Sequence, residues 1–287
     1  MRPASAASAT ATHSATALPS PKYYVSTTAP GGGNGLSCAT ARYSSVQAAV
    51  NDAQTYESTH ASDPTIALCG GTFTEQVYVA YSLKFANVVG MPASTIELPA
   101  AVGLDQTQGL SNTACQSGDS GAVVTAPQSV MEICQTGAHA TVSISGITIE
   151  GQWPGNVCYD SLYGILVGGG ATLDLANSTV KDIGGSALTD GCQGGVAVQV
   201  GFSPTGQVGR AVLTHDTVNS YQKNGITIDG TGSGATITGG SVTGGGPTSQ
   251  IGQNGIQVSF GATAAISGET ITANQCGISP PTCGPDP

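Results

Sequence analysis

A stretch written twice limits the folds open to this chain. Residues 224–243 read NGITIDGTGSGATITGGSVT, and residues 254–272 read NGIQVSFGATAAISGETIT. Asn224-Gly225-Ile226 returns as Asn254-Gly255-Ile256 after 30 residues, and Ile237 and Val242 return as Ile266 and Ile271 after 29. A fixed period of this length marks a repeat architecture in which each unit stacks on the next. Each unit breaks into short alternating apolar and polar runs separated by glycine, which fits strands and turns rather than helices. The expectation is a solenoid of β-structure, with each turn contacting only its neighbours.

The same elements are legible upstream. Ile144-Ser145-Gly146-Ile147-Thr148-Ile149 matches Ile266-Ser267-Gly268-Glu269-Thr270-Ile271, and 175–180 and 213–218 read as that element again. A second series is Gly164-Ile165, Gly195-Val196, Gly225-Ile226 and Gly255-Ile256, spaced 31, 30 and 30. Alternate apolar positions should stack as inward ladders. Asn224 and Asn254 are expected to form a hydrogen-bonded ladder at a tight Asn-Gly corner, with Gln193, Lys223 and Gln253 beside it.

Nearer the N-terminus, Tyr23-Tyr24-Val25-Ser26 reads as a strand. It is followed by Gly31-Gly32-Gly33-Asn34-Gly35, which lacks the Lys-Ser/Thr of a phosphate loop. Val46, Ala49, Val50 and Ala53 fall at helical spacing behind Ser44-Ser45, predicting a helix over 44–55 that caps the N-terminal end. Strands are expected at 65–69, 70–79, 82–90 and 95–98. Residues 1–21 are rich in Ala, Ser and Thr, lack the apolar core of a signal peptide, and are expected to be a disordered leader. Residues 22–287 are expected to be one domain, with a loop excursion over 104–128, an insert over 201–209 and a C-terminal cover over 274–287.

Tyr23-Tyr24-Val25-Ser26, the glycine-rich loop, Ser45-Val46-Gln47-Ala48-Ala49-Val50 and Gly71-Thr72-Phe73-Thr74-Glu75-Gln76-Val77 together resemble the N-terminal region of right-handed parallel β-helix proteins of the pectin-lyase-like superfamily. The resemblance spans roughly residues 22–275. The runs YQKNGI at 221–226 and QNGIQV at 253–258 are similar to a group of bacterial secreted β-helix repeat proteins. The fold this implies is all-β, a single-stranded right-handed parallel β-helix with a short N-terminal helix cap. Its hand agrees with the rule for parallel crossovers. The activity implied is broad, because that superfamily hosts lyases, esterases, hydrolases, epimerases and non-catalytic proteins. Its lyases neutralise a uronate carboxylate, often with calcium, so Ca is a possible cofactor.

Charge narrows the partners. The chain has 17 acidic and 7 basic residues and a net charge of −10, which argues against nucleic acid. The absence of an 18-residue apolar run argues against a membrane-spanning helix. The expected partner is a polysaccharide or cell-surface glycan, met by a monomer. Eight cysteines without a C-x-x-C pair suit disulfides in a secreted, extracellular protein better than a zinc site. Eight cysteines allow 105 connectivities. Pairing of sequence neighbours is the reading preferred here: Cys38–Cys69, Cys115–Cys134, Cys158–Cys192 and Cys276–Cys283.

Candidate chemistry is sparse. Beyond Lys84 the only Lys and Arg side chains are Lys181, Arg210 and Lys223. They fall at different points of the repeat. His215, Asp216, Tyr221 and Lys223 form the densest polar cluster and are the catalytic candidates. Asp190 is a possible carboxylate partner for hydrolysis, which needs a second carboxyl about 5–10 Å away. Arg210 and Lys181 are candidate substrate-binding residues, as is Trp153, which could stack on a sugar ring. No ligand spacing marks a metal site. The function expected is binding or cleavage of a polysaccharide in a lateral groove. The alternative is a non-catalytic structural or adhesive solenoid. A third class, binding to a flat lattice, requires an outward Thr-x-Thr column, for which Thr141, Thr172, Thr236 and Thr263 are the candidates.

Overall fold

The computed structural model describes residues 22–29, 33–60, 62–99, 128–134, 140–153, 162–185, 193–247 and 251–275. The chain visits the same three series of strands in turn. The first holds Lys22–Val25, Thr65–Leu68, Leu83–Asn87, Thr141–Ser145, Thr172–Ala176, the first halves of Arg210–Asn219 and Gly234–Thr243, and Thr263–Ser267. The second holds Gly71–Thr74, Ser94–Glu97, Ile147–Trp153, Thr179–Gly185, the second halves of those two long strands, and Thr270–Thr272. Because the long strands run through both series, the two make one 13-stranded sheet. The third series is a separate 6-stranded sheet of Val77–Val79, Gln128–Cys134, Leu162–Gly168, Val196–Val200, Asn224–Asp229 and Asn254–Ser259. Pairing within every series is parallel.

Register turns the sequence repeat into columns of like side chains. Ile144, Leu175, Leu213 and Ile237 stand opposite one another, as do Val142, Leu173, Ala211 and Ala235. In the second series the column is Ile149, Val180, Val218 and Val242, and in the third Ile165, Val198, Ile226 and Ile256. All but Ile256 are buried and belong to one continuous core, which Ile256 packs against. Removing such surface from water is the main driving force for this arrangement.

A sharp corner separates the first series from the second. Gly146, Asn177, His215, Gly239 and Gly268 hold it on successive passes, all with positive φ. Left-handed backbone favours glycine and, among other residues, Asn, Asp and His.

The helix forms as Val46–Glu57, starting two residues later than expected and running two further. Ser45 is its N-cap, accepting from Ala48 N at 3.2 Å. Val46, Ala49, Val50 and Ala53 are the buried face. Gln47 and Gln54 cover the free edge of Val77–Val79. Gln47 Oε1 accepts from Tyr78 N at 2.6 Å, Gln47 Nε2 donates to Tyr78 O at 3.2 Å, and Gln54 Oε1 accepts from Ala80 N at 2.5 Å. The helix thus satisfies backbone groups that a first strand would leave open.

Two sequence expectations need correction. Gly195-Val196 is not the second member of the Gly-Ile series, because Val198 is the residue opposite Ile165 and Ile226. Val196 pairs instead with Tyr163 and Asn224 and packs outside the core, and Ala197 takes the place of the glycine. Asn224 and Asn254 do not sit in a left-handed corner; they begin strands. Their glycines are required for closeness, since a Cβ on Gly225 would lie 2.4 Å from Val242 Cγ1 and one on Gly255 2.4 Å from Ile271 Cγ2.

Cys38 and Cys69 are disulfide-bonded, as expected. Cys134 is also in a disulfide. Cys115, Cys158, Cys192, Cys276 and Cys283 lie outside the described residues, as do the leader 1–21 and nearly all of the expected excursion and C-terminal cover.

Candidate functional site

The sequence candidates occupy separate points on the path of the chain. His215 sits at the left-handed corner with φ 56, exposed, its ring over Gly239. Asp216 follows it and is only 5% exposed. Its carboxylate accepts from Ser178 N at 2.8 Å and Thr214 N at 2.9 Å, so it pins the corner to the preceding pass. Burial pushes its carboxyl up to about 6, against the pull of those two amides. Tyr221 is fully buried, and its phenol donates to Asn274 Oδ1. Burial pushes that phenol up to about 12, the wrong direction for a base. Lys223 is 8% exposed and its Nζ donates to Gly252 O at 3.2 Å.

Lys181 lies beyond the corner, at 2.9 Å from both Asp182 Oδ2 and Glu150 Oε2. Hydrogen bonds that it donates to the Asp182 and Glu150 carboxylates hold its ammonium above the usual lysine range. Arg210 precedes the corner, at one side of an open groove of about 500 Å³ over Gly234, Thr236 and Ala265. Asp190 and the side chain of Trp153 lie outside the described residues. Arg210, the His215-Asp216 corner, Lys181 and the Tyr221–Lys223 turn therefore stand at four successive stations rather than at one centre.

A different constellation does converge, on the outward face of the 6-stranded sheet. A groove of about 240 Å³ there is lined by Tyr163, Gln199, Phe202, Asn224, Thr227, Asp229, Gln257, Ser259 and Phe260, among others. Its floor is a connected polar network. Asn254 Nδ2 donates to Asn224 Oδ1 at 2.9 Å, realising the expected ladder. Asn224 Nδ2 donates to Thr227 Oγ1 and Gln257 Oε1, both at 3.0 Å. Ser259 Oγ donates to Asp229 Oδ1 at 2.9 Å, and Asp229 Oδ2 accepts from Ser203 N at 2.7 Å. Cross-linked in this way, the side chains are held in place before any ligand arrives.

Aromatic rings flank the floor. The expected insert forms between Gly201 and Gly209, with a short 3₁₀ turn Ser203–Thr205. It brings Phe202 against Tyr163 in an edge contact at 6.2 Å. On the other side Phe260 is 73% exposed and holds φ 50. A bulky residue in that region is an outlier, and such strain is concentrated at functional positions.

The same outward columns continue to Ser129 and Glu132, which stand opposite Tyr163 and Leu166. Both are buried, and among the described residues neither Ser129 Oγ nor either oxygen of Glu132 has a hydrogen-bond partner. Burial pushes the Glu132 carboxyl up to about 8, so it is neutral at pH 7.

Calcium does not fit the groove. The ion takes several oxygen ligands, commonly with more than one carboxylate. Asp229 is the one carboxylate among the described lining residues, and both its oxygens are already committed. Nor do the described residues contain any cluster of His, Cys, Asp and Glu suited to a metal.

Thr141, Thr172 and Thr263 share a column, but Arg210 and Gly234 interrupt it, and Thr236 belongs to the next column with Asp174 and Val212. A continuous hydroxyl column lies instead on the second series, through Thr72, Thr95, Thr148, Thr179, Thr217, Ser241 and Thr270. Glu97, Glu150, Lys181 and Asn219 stand beside it and break the Thr-x-Thr spacing. Sequence reading missed this column because it followed the first series only.

Comparison of the chain with protein-family models, curated proteins and solved structures gives no match.

Proposed function

We propose that this chain is a secreted right-handed parallel β-helix protein, resembling the pectin-lyase-like superfamily, that binds a glycan along the outward groove of its 6-stranded sheet. The observation that carries this reading is the polar floor of Asn224, Thr227, Gln257 and Asp229 between the rings of Phe202 and Phe260. Sugars present hydroxyl groups on their edges and C–H groups on their faces. Amides and hydroxyls match the first, and aromatic rings match the second. The parallel register and the columns of buried Ile, Leu and Val support the β-helix reading. The Cys38–Cys69 disulfide supports an oxidising, extracellular setting.

Binding without cleavage is the form favoured here. Asp216 and Tyr221 serve the packing of the corners, and the basic side chains are dispersed. Affinity electrophoresis of the purified protein through gels containing soluble polysaccharides tests the reading. Retardation by at least one glycan is expected, and assays of the same mixtures should show no new reducing ends and no unsaturated product. Free migration in every gel would leave the structural or adhesive role in its place.

A further inference from the structure

The groove carries information about which glycans it accepts. No Lys, Arg or His is found among its described lining residues, and its one ionisable carboxyl group is Asp229. Asp229 is 6% exposed and held by Ser259 Oγ and Ser203 N at 2.9 and 2.7 Å. A bound uronate would bring its negative charge next to the Asp229 carboxylate, with no cation among the described lining residues. Like charges in a partly desolvated site repel strongly.

The remaining polar groups suit hydroxyls. Gln199 donates through Nε2 to Gly201 O at 2.7 Å, which leaves its Oε1 as an acceptor. Thr227 accepts from Asn224 and keeps its own hydrogen to donate. A sugar hydroxyl donates and accepts at once, whereas a carboxylate only accepts.

Phe260 supplies the third element. Asp229 and Ser259 are register partners, so Phe260 occupies the position held by Gly230 one pass earlier, and Phe202 the position one pass before that. Gly230 leaves the space beside Phe260 open, with Ser203 its nearest neighbour on the other side. Successive passes are about 4.8 Å apart, close to the length of one pyranose unit.

Resting on the glycan-binding reading above, we infer that the groove is selective for neutral glycans, seating an uncharged sugar ring against Phe260 over Gly230 and Thr227, and that it rejects polyuronates. Phe260 is the specificity contact that holds the sugar face.

The test compares soluble mannan, xylan and β-glucan with polygalacturonate and alginate, at low and high salt and with and without calcium. At least one neutral glycan should bind with an affinity that salt leaves unchanged, and the polyuronates should bind at least tenfold more weakly. Phe260→Ala should weaken binding on the order of tenfold, as loss of an aromatic contact does. Phe260→Gly should bind as weakly while unfolding no earlier than the parent, because glycine suits the left-handed backbone. Preference for a polyuronate, or binding lost in salt or made by calcium, overturns the selectivity and leaves glycan binding standing. Unchanged affinity in both Phe260 variants overturns the role of the ring. Absence of binding to any polysaccharide removes the glycan reading itself.

Discussion

Among the described residues neither oxygen of Glu132 finds a hydrogen-bond partner, and burial alone raises its carboxyl, so its protonation is tied to the stability of the fold. The folded chain holds this proton up to about pH 8, while the unfolded chain releases it near 4.5. The folded state therefore binds more protons between those values, and its stability falls as pH rises through that window, levelling off above. The total loss is about 5 kcal/mol. Glu132→Gln has no proton to lose, so urea denaturation at about pH 5 and about pH 8.5 should show this slope in the parent and not in the variant. Asp216 illustrates the opposite treatment of a buried carboxyl, since two backbone amides meet its oxygens. Asp216→Ala leaves those amides unpaired and should cost about 1–3 kcal/mol in chemical denaturation. Glycan binding should be untouched, because the corner lies away from the groove. His215→Gly, at φ 56, should be neutral or stabilising by up to about 1 kcal/mol for the same reason that three of its four column neighbours are glycine.

Among the elements, the helix Val46–Glu57 depends most on a residue distant in sequence. Glu75 Oε1 accepts from Val46 N at 2.7 Å, and Oε2 accepts from Gln47 N at 2.9 Å and from Ser45 Oγ at 2.7 Å. A carboxylate at a helix N-terminus satisfies free amides and opposes the positive end of the dipole. Glu75, in the Gly71-Thr72-Phe73-Thr74-Glu75 run, thus holds the start of the helix. Glu75→Ala should destabilise by about 2 kcal/mol, read by thermal denaturation and by faster hydrogen exchange within the helix. The Cys38–Cys69 bridge closes a sequence separation of 31 residues over the same end. Loop-closure entropy predicts a loss of about 3–4 kcal/mol in Cys38→Ala/Cys69→Ala, measured against the parent by urea unfolding under non-reducing conditions. The helix was legible in the sequence from local signals, a serine cap and i/i+3/i+4 spacing, and the disulfide because cysteine pairs with cysteine and Cys69 is the next one after Cys38. The link between helix and Glu75 was not, since no local pattern ties residues so far apart.

At the level of the whole molecule, the repeat announced parallel columns because apolar periodicity and packing are the same fact seen in one dimension and in three. Equal spacing misled at Gly195-Val196, because the true register partners Ile165 and Val198 are 33 residues apart and Val198 and Ile226 only 28, and because Ala197 stands where the other passes have glycine. The site was harder to read. Charged and nucleophilic types drew attention to His215, Asp216, Tyr221 and Lys223, and the fold uses several of these at its bends. The groove residues are plain amides and hydroxyls on outward positions. Their signal was Asn224-x-x-Thr227-x-Asp229 repeated as Asn254-x-x-Gln257-x-Ser259, with Phe260 standing where the earlier copy has Gly230. Stacking also orders the way the molecule comes apart. Ile266 and Ile271 match the buried Ile237 and Val242 in register, yet each is 46% exposed. Among the described residues, Asn254–Ser259, Thr263–Ser267 and Thr270–Thr272 are bonded to a neighbouring strand on one side only. Amide protons there should exchange soonest and those of Leu162–Gly168 late, so that the sheets fray inward from their last strands. The groove sits within two strands of that margin, and any glycan that bridges Phe202 and Phe260 would act as a clasp across the first part of the protein to loosen.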